Sequence, residues 1–287
     1  MLPIFGGFPL KVGKRGYRPL VHALCFLAVW IFGMFSIFHI LFYEPYTFLC
    51  WLFALAYTLI LCYVFCNFLE HKSVWDLGLR IREREVLNFV LGTLIGIFMI
   101  TVVFLIEYSL KLIYVEANSE IHISYLVYGL LTSLSVALME ELVFRGYLFQ
   151  NALLSLSENQ SILLSSIIFG LMHIFNPNVN FLAIIVISVI GVLLAICYLR
   201  TQTLYLPIGI HFAWNYFEGF IYGFPISGNE VKGILITKSE GSVWLTGGTF
   251  GPEGGLIGLI VSFLAVAAVF LLHRLNKSSR ADLLAIQ

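Results

Sequence analysis

Apolar residues in this chain fall into long, nearly unbroken runs rather than the alternation of a half-buried strand or the one-sided stripe of a surface helix. A helix that spans a bilayer needs about 20 consecutive apolar residues. Eight runs approach or reach that length, at about 19–43, 46–67, 87–112, 123–150, 160–175, 178–200, 204–224 and 254–274, the fifth being short. The pattern predicts an all-α fold: a polytopic transmembrane bundle of about eight spanning helices around a polar intramembrane cavity. The first run is too long for a signal-peptide core and has no small-x-small cleavage site, so it reads as a spanning helix. The segment Ser73–Glu85 is too charged to span and reads as a short cytoplasmic amphipathic helix, with Trp75 and Leu79 at the interface. The expected organisation is two N-terminal helices in 1–70, a linker in 71–86, a core in 87–276 and a cytoplasmic tail in 277–287.

Charge gives the runs an orientation. Lys11, Lys14, Arg15 and Arg18 precede the first run; Lys72, Arg80, Arg82 and Arg84 lie between the second and third; Arg200 follows the sixth; Arg274, Lys277 and Arg280 follow the eighth. With an even number of spans these all fall on one side, which the positive-inside rule makes cytoplasmic. The opposite loops hold Glu116, Glu120, Glu230 and Glu240, with Lys111, Lys232 and Lys238 as their cations. A multi-pass cell-membrane protein with both termini in the cytoplasm follows.

Composition agrees. Hydrophobic residues make up 60% and charged residues 11% of the chain, at a mean hydropathy of +0.95. Soluble domains carry about 25% charged residues. The formal net charge of zero argues against a nucleic-acid partner and leaves the lipid bilayer as the certain one. The five cysteines form no Cys-x-x-Cys pair and read as small buried hydrophobes. Two Gly-x-x-x-Gly pairs, Gly92/Gly96 and Gly254/Gly258, suit close helix packing. A glycine-rich loop at Gly247–Gly255 leads into the last run.

Polar residues inside the apolar runs are the informative ones, because a charge at bilayer depth costs roughly 2.5–3.5 kcal/mol on insertion scales. The fourth run holds Glu140, Glu141 and Arg145. Glu141 and Arg145 are four apart and can pair along one helix face. Glu140 points about 100° away, with no partner on its own helix, and a desolvated carboxylate of that kind suits a general base. The fifth run holds Phe169 and, one turn on, His173. The seventh places His211, Asn215 and Glu218 on one stripe. Each motif alone also fits a structural reading: a buried ionic network, a satisfied core histidine, or, for Glu218, an interface residue. Glu107 has Lys111 four residues on, which suggests a local ion pair. His22, His39, His71, His122 and His273 fall near the expected membrane surfaces. At 1.5 Å per residue, Glu140, His211 and His173 lie ~15, ~10 and ~20 Å from the cytoplasmic ends of their helices. One shared cavity requires the fifth helix to start late or tilt.

Hydrolysis of a peptide bond needs an activated water and donors for the oxyanion, and Glu140, His173, His211 and Asn215 form such an inventory. Glu140, His173 and His211 also make a zinc-ligand set of two imidazoles and a carboxylate. The chain has no His-Glu-x-x-His, Gly-x-Ser-x-Gly or P-loop motif.

Three motifs occur in order: Glu140-Glu141-x-x-x-Arg145, Phe169-x-x-x-His173 and His211-x-x-x-Asn215. In this order and on membrane helices, they resemble the CAAX protease and bacteriocin-processing (CPBP) family, which includes the type II CAAX prenyl endopeptidases. The resemblance covers roughly residues 70 to 275, and the Gly251-Pro-Glu-Gly-Gly segment also looks like bacterial members. It implies an intramembrane endopeptidase, acting near the cytoplasmic side on a prenylated or membrane-associated protein or peptide. By position, Glu140 and His173 would activate water, His211 and Asn215 would form the oxyanion hole, and Glu141, Arg145 and Phe169 would support them. Members are described both as metalloproteases and as glutamate-dependent peptidases; the same residues fit either, with the metal-independent route preferred. Two other readings are a non-catalytic scaffold or bacteriocin self-immunity protein, and a transporter, against which the lack of an inverted repeat argues.

Overall fold

The computed structural model describes residues 16–38, 48–81 and 83–285, with side chains described as far as Leu271. Lys11, Lys14, Arg15, His39 and Arg82 lie outside the described residues, as do the expected end of the first helix and start of the second; the side chains of His273, Arg274, Lys277 and Arg280 are likewise outside. The apolar runs fold as helices: α1 (Arg18–Ser36), α2 (Phe48–Val64), α3 (Glu85–Ser109), α4 (Ile123–Glu141), α5 (Gln150–Ser155), α6 (Glu158–Met172), α7 (Phe181–Thr201), α8 (Tyr205–Asn215), the one-turn α9 (Val243–Thr246) and α10 (Leu256–Ala285). Five stretches are long and apolar enough to cross a membrane: Arg18–Ser36, Leu49–Leu69, Glu85–Ser109, Ile123–Ser155 and Phe181–Thr201. The protein is a multi-pass membrane helix bundle. α6, α8 and the described apolar part of α10 are shorter.

Two departures from the sequence pattern position the site. The first is that α4 does not stop near residue 150. It continues through a π-helical stretch, Leu142–Phe149, into α5 and ends at Ser155. α6 then starts at Glu158, after the N-cap Ser157, whose hydroxyl and the Gln160 side chain form a capping box. Glu140 and His173 therefore lie equally far from this hairpin's turn, about 22 Å at 1.5 Å per residue. The depth mismatch expected between Glu140 and His173 is therefore removed. The second departure is a two-stranded antiparallel ribbon, β1 (Ile113–Ala117) with β2 (Leu235–Ser239), which ties the α3–α4 loop to the segment before α9.

The Gly92/Gly96 pair packs as its spacing predicts. A side chain at Gly92 would strike the Leu206 carbonyl, and one at Gly96 the Ile210 carbonyl, so α3 and α8 meet backbone to backbone. Gly258 instead faces the carbonyl of Pro252, in its own loop. The expected cytoplasmic helix contracts to one 3-10 turn, Val74–Leu77, capped by Ser73 and Asp76. Leu77 is fully buried while Trp75 stays exposed. Gln150 donates to the Asp76 carbonyl and the Leu204 amide to the Gly78 carbonyl, fixing this turn under the bundle.

Candidate active site

Arg145 and Glu141 pair one helical turn apart, as the spacing predicts: Arg145 Nη1 donates to Glu141 Oε1 at 2.7 Å. Both side chains are fully buried. Arg145 Nη2 also donates to the Gly191 carbonyl at 3.3 Å, and the guanidinium carbon lies 4.3 Å from the Phe169 ring centroid. Such a cation–π contact is worth about 2 kcal/mol when desolvated.

The same Glu141 oxygen takes a third partner from another helix. His211 Nδ1, on α8, lies 3.0 Å from it. A carboxylate held by an arginine accepts, so His211 Nδ1–H is the donor, which turns Nε2 outward. Nε2 lies 3.8 Å from Glu140 Oε2. The adjacent carboxylates thus hold one imidazole between them, Glu141 at its back and Glu140 at its front.

His173 reaches this group from the end of α6. The helix stops there because Asn176 precedes Pro177 and is extended (φ −69°, ψ 149°). His173 Nδ1 lies 2.9 Å from the Phe169 carbonyl. A carbonyl only accepts, so Nδ1 carries the proton and Nε2 keeps its lone pair. The Phe169 ring lies edge-on to both imidazoles, at centroid distances of 5.1 Å to His173 and 6.1 Å to His211. Asn215, one turn beyond His211, is also buried. The chain turns π-helical immediately after it, at Tyr216–Ile221, as it does after Glu141. π turns recur at functional sites because the extra residue re-aims the side chains around it.

Sequence reasoning missed one acidic group here. Glu253, in the Gly-Pro-Glu-Gly-Gly turn before α10, is buried, accepts a hydrogen bond from the Ser227 hydroxyl, and interacts electrostatically with His173, His211 and Glu140. Its signal was present: it is the sole acidic residue in the glycine-rich loop. Two expectations change. Glu218 is fully buried rather than near water, and it interacts electrostatically with Glu253 and Glu107. The Glu107–Lys111 pair does not form: α3 ends at Ser109, Lys111 turns out with φ 56°, and the buried Glu107 carboxylate makes no hydrogen bond.

Among the described residues, no group of three or more His, Cys, Asp or Glu side chains converges as a bound metal ion requires. Glu141 already serves Arg145 and His211.

No curated protein and no solved structure matches the chain. Residues 122–217 match the sequence model of the family described as type II CAAX prenyl endopeptidase Rce1-like. That segment is about a third of the chain and holds Glu140, Glu141, Arg145, Phe169, His173, His211 and Asn215. Over this segment the chain is similar to the type II CAAX prenyl endopeptidase Rce1-like family.

Proposed function

We propose that the protein is a metal-independent, glutamate-dependent intramembrane endopeptidase that cleaves a prenylated or otherwise membrane-associated protein or peptide. The observation that carries this reading is the Glu140–His211–Glu141–Arg145 array, with His173 edge-on to the same Phe169 ring that His211 meets. Glu140 takes a proton from water while the Nε2 lone pair of His173 orients it. The water oxygen bonds to the scissile carbonyl carbon. The developing oxyanion accepts hydrogen bonds from His211 Nε2–H, when that ring carries both protons, and from the Asn215 amide. The C–N bond then breaks, and the proton held by Glu140 passes to the leaving nitrogen. Glu141 fixes the orientation of His211, and Arg145 neutralises Glu141.

The test is cleavage of prenylated and unprenylated peptides by the detergent-purified chain, with products mapped by mass spectrometry. Glu140→Ala, His173→Ala and His211→Ala should each lose cleavage. Wild-type rates in all three would remove the assignment.

A further inference from the structure

Glu140 and His211 sit inside continuous helices, but His173 does not. It opens the single 3-10 turn that ends α6, and no residue of that turn, His173–Phe175, is buried. Apolar packing therefore does not hold the turn, and an untied helix end frays. A line of polar contacts ties it instead. The Asn176 amide donates to the His173 carbonyl at 3.1 Å, and the Asn176 side chain donates to the Ser227 carbonyl at 3.0 Å. The Ser227 hydroxyl then donates to Glu253, which is buried and within electrostatic reach of His173. Two contacts brace the line: Asn180, the N-cap of α7, donates to the Gly254 carbonyl at 3.2 Å, and the Gly228 amide to the Phe250 carbonyl at 2.9 Å.

Ser227 is an unusual residue for its place. Ile226 and Asn229 exchange two backbone hydrogen bonds of 2.9 Å, and both residues between them have positive φ, 46° at Ser227 and 87° at Gly228. A two-residue turn of this kind favours Asn, Asp or Gly. Gly228 must be glycine for a second reason, since a Cβ there would strike the Pro177 carbonyl. At position 227 a glycine would relax the backbone. Serine adds only a hydroxyl, and that hydroxyl is the one bonded to Glu253. A sparsely populated backbone conformation persists where its surroundings make use of it.

We propose that Ser227 and Glu253 are positioning residues: their hydrogen bond latches the loop after His173 to the turn before α10 and so holds the imidazole in register with Glu140 and His211. The effect on catalysis rests on the protease reading above; the latch itself does not. A misplacement of about 1 Å can cost about 10²-fold in rate.

The test is steady-state cleavage of a membrane-associated peptide by the detergent-purified full chain. Ser227→Gly suits the backbone and removes only the hydroxyl. It should lower kcat by about 10- to 100-fold, with KM little changed and the thermal unfolding midpoint no lower than in wild type. Glu253→Ala should lose as much, and Glu253→Gln, which keeps an oxygen to accept from Ser227, should recover most of it. Ser227→Gly combined with Glu253→Ala should lose no more than either alone, because one contact is removed in each case. Wild-type kcat in Ser227→Gly, or Glu253→Gln as impaired as Glu253→Ala, overturns the proposal. If Glu253→Ala does not fold, Ser227→Gly still decides. A second readout needs no substrate. In histidine-labelled protein, the His173 ring resonance, identified by its loss in His173→Ala, should shift or broaden in Ser227→Gly; an unchanged resonance overturns the latch. If wild type cleaves nothing, the protease reading fails while the resonance still tests the latch.

Discussion

Glu140 and Glu141 are neighbours in sequence and opposites in environment. The Glu141 side chain is 0% exposed and shares one oxygen with Arg145 and His211; the Glu140 side chain is 17% exposed, with His211 Nε2 at 3.8 Å as its nearest cation-forming partner. The 100° step between successive helical residues separates them. Glu141 turns toward Arg145 and the Nδ1 side of His211, and Glu140 turns toward the Nε2 side of the same ring. A buried charge is tolerable when paired, and it is held still by that pairing. Glu140 has no arginine partner and is not held in this way. On the proposed mechanism, one side of α4 is a frame and the other supplies the reagent.

Substitutions on each side separate the two roles. Glu140→Gln keeps shape and removes the base, so kcat should fall by about 10²–10⁴-fold, with the thermal unfolding midpoint in detergent unchanged. A fall in the midpoint would make Glu140 part of the frame. Arg145→Met should do the reverse. It leaves Glu141 as an uncompensated buried charge, and breaking such a pair costs about 3–5 kcal/mol, to be read as a lower midpoint and lower yield of folded protein. Asn215→Ala removes one oxyanion donor and should cost about 10²–10³-fold in kcat, with KM little changed; a loss confined to KM would make Asn215 a binding residue. The smallest effect is expected at Phe169. Phe169→Leu keeps an apolar side chain but loses the ring under Arg145, a loss of about 2 kcal/mol or less in stability.

The parts of the site legible in sequence are those set by helical periodicity. Glu141 with Arg145, Phe169 with His173, and His211 with Asn215 are all four apart, and each shares a helix face in the fold. The Gly92/Gly96 contact is legible for the same reason. What joins the pairs was not. The Glu141–His211 bond links residues 70 apart, and nothing local specifies it. The run of α4 into α5 was misjudged because Gln150–Ser155 holds neither glycine nor proline to mark an end, and the π stretch before it has no simple residue signature. Glu253 was passed over because a glycine-rich turn reads first as backbone geometry; its role depends on Ser227 and on the loop after His173. The β1–β2 ribbon escaped because two five-residue strands more than 100 positions apart are set by their pairing rather than by pattern.

The most direct measurement is the rate of peptide cleavage by purified wild type and Glu140→Gln, each before and after exhaustive treatment with a zinc chelator. A glutamate-dependent site predicts that wild type keeps its rate through chelation, while Glu140→Gln is inactive in both conditions despite wild-type thermal stability. Loss of wild-type activity on chelation with recovery on added zinc, or undiminished cleavage by Glu140→Gln, would contradict it.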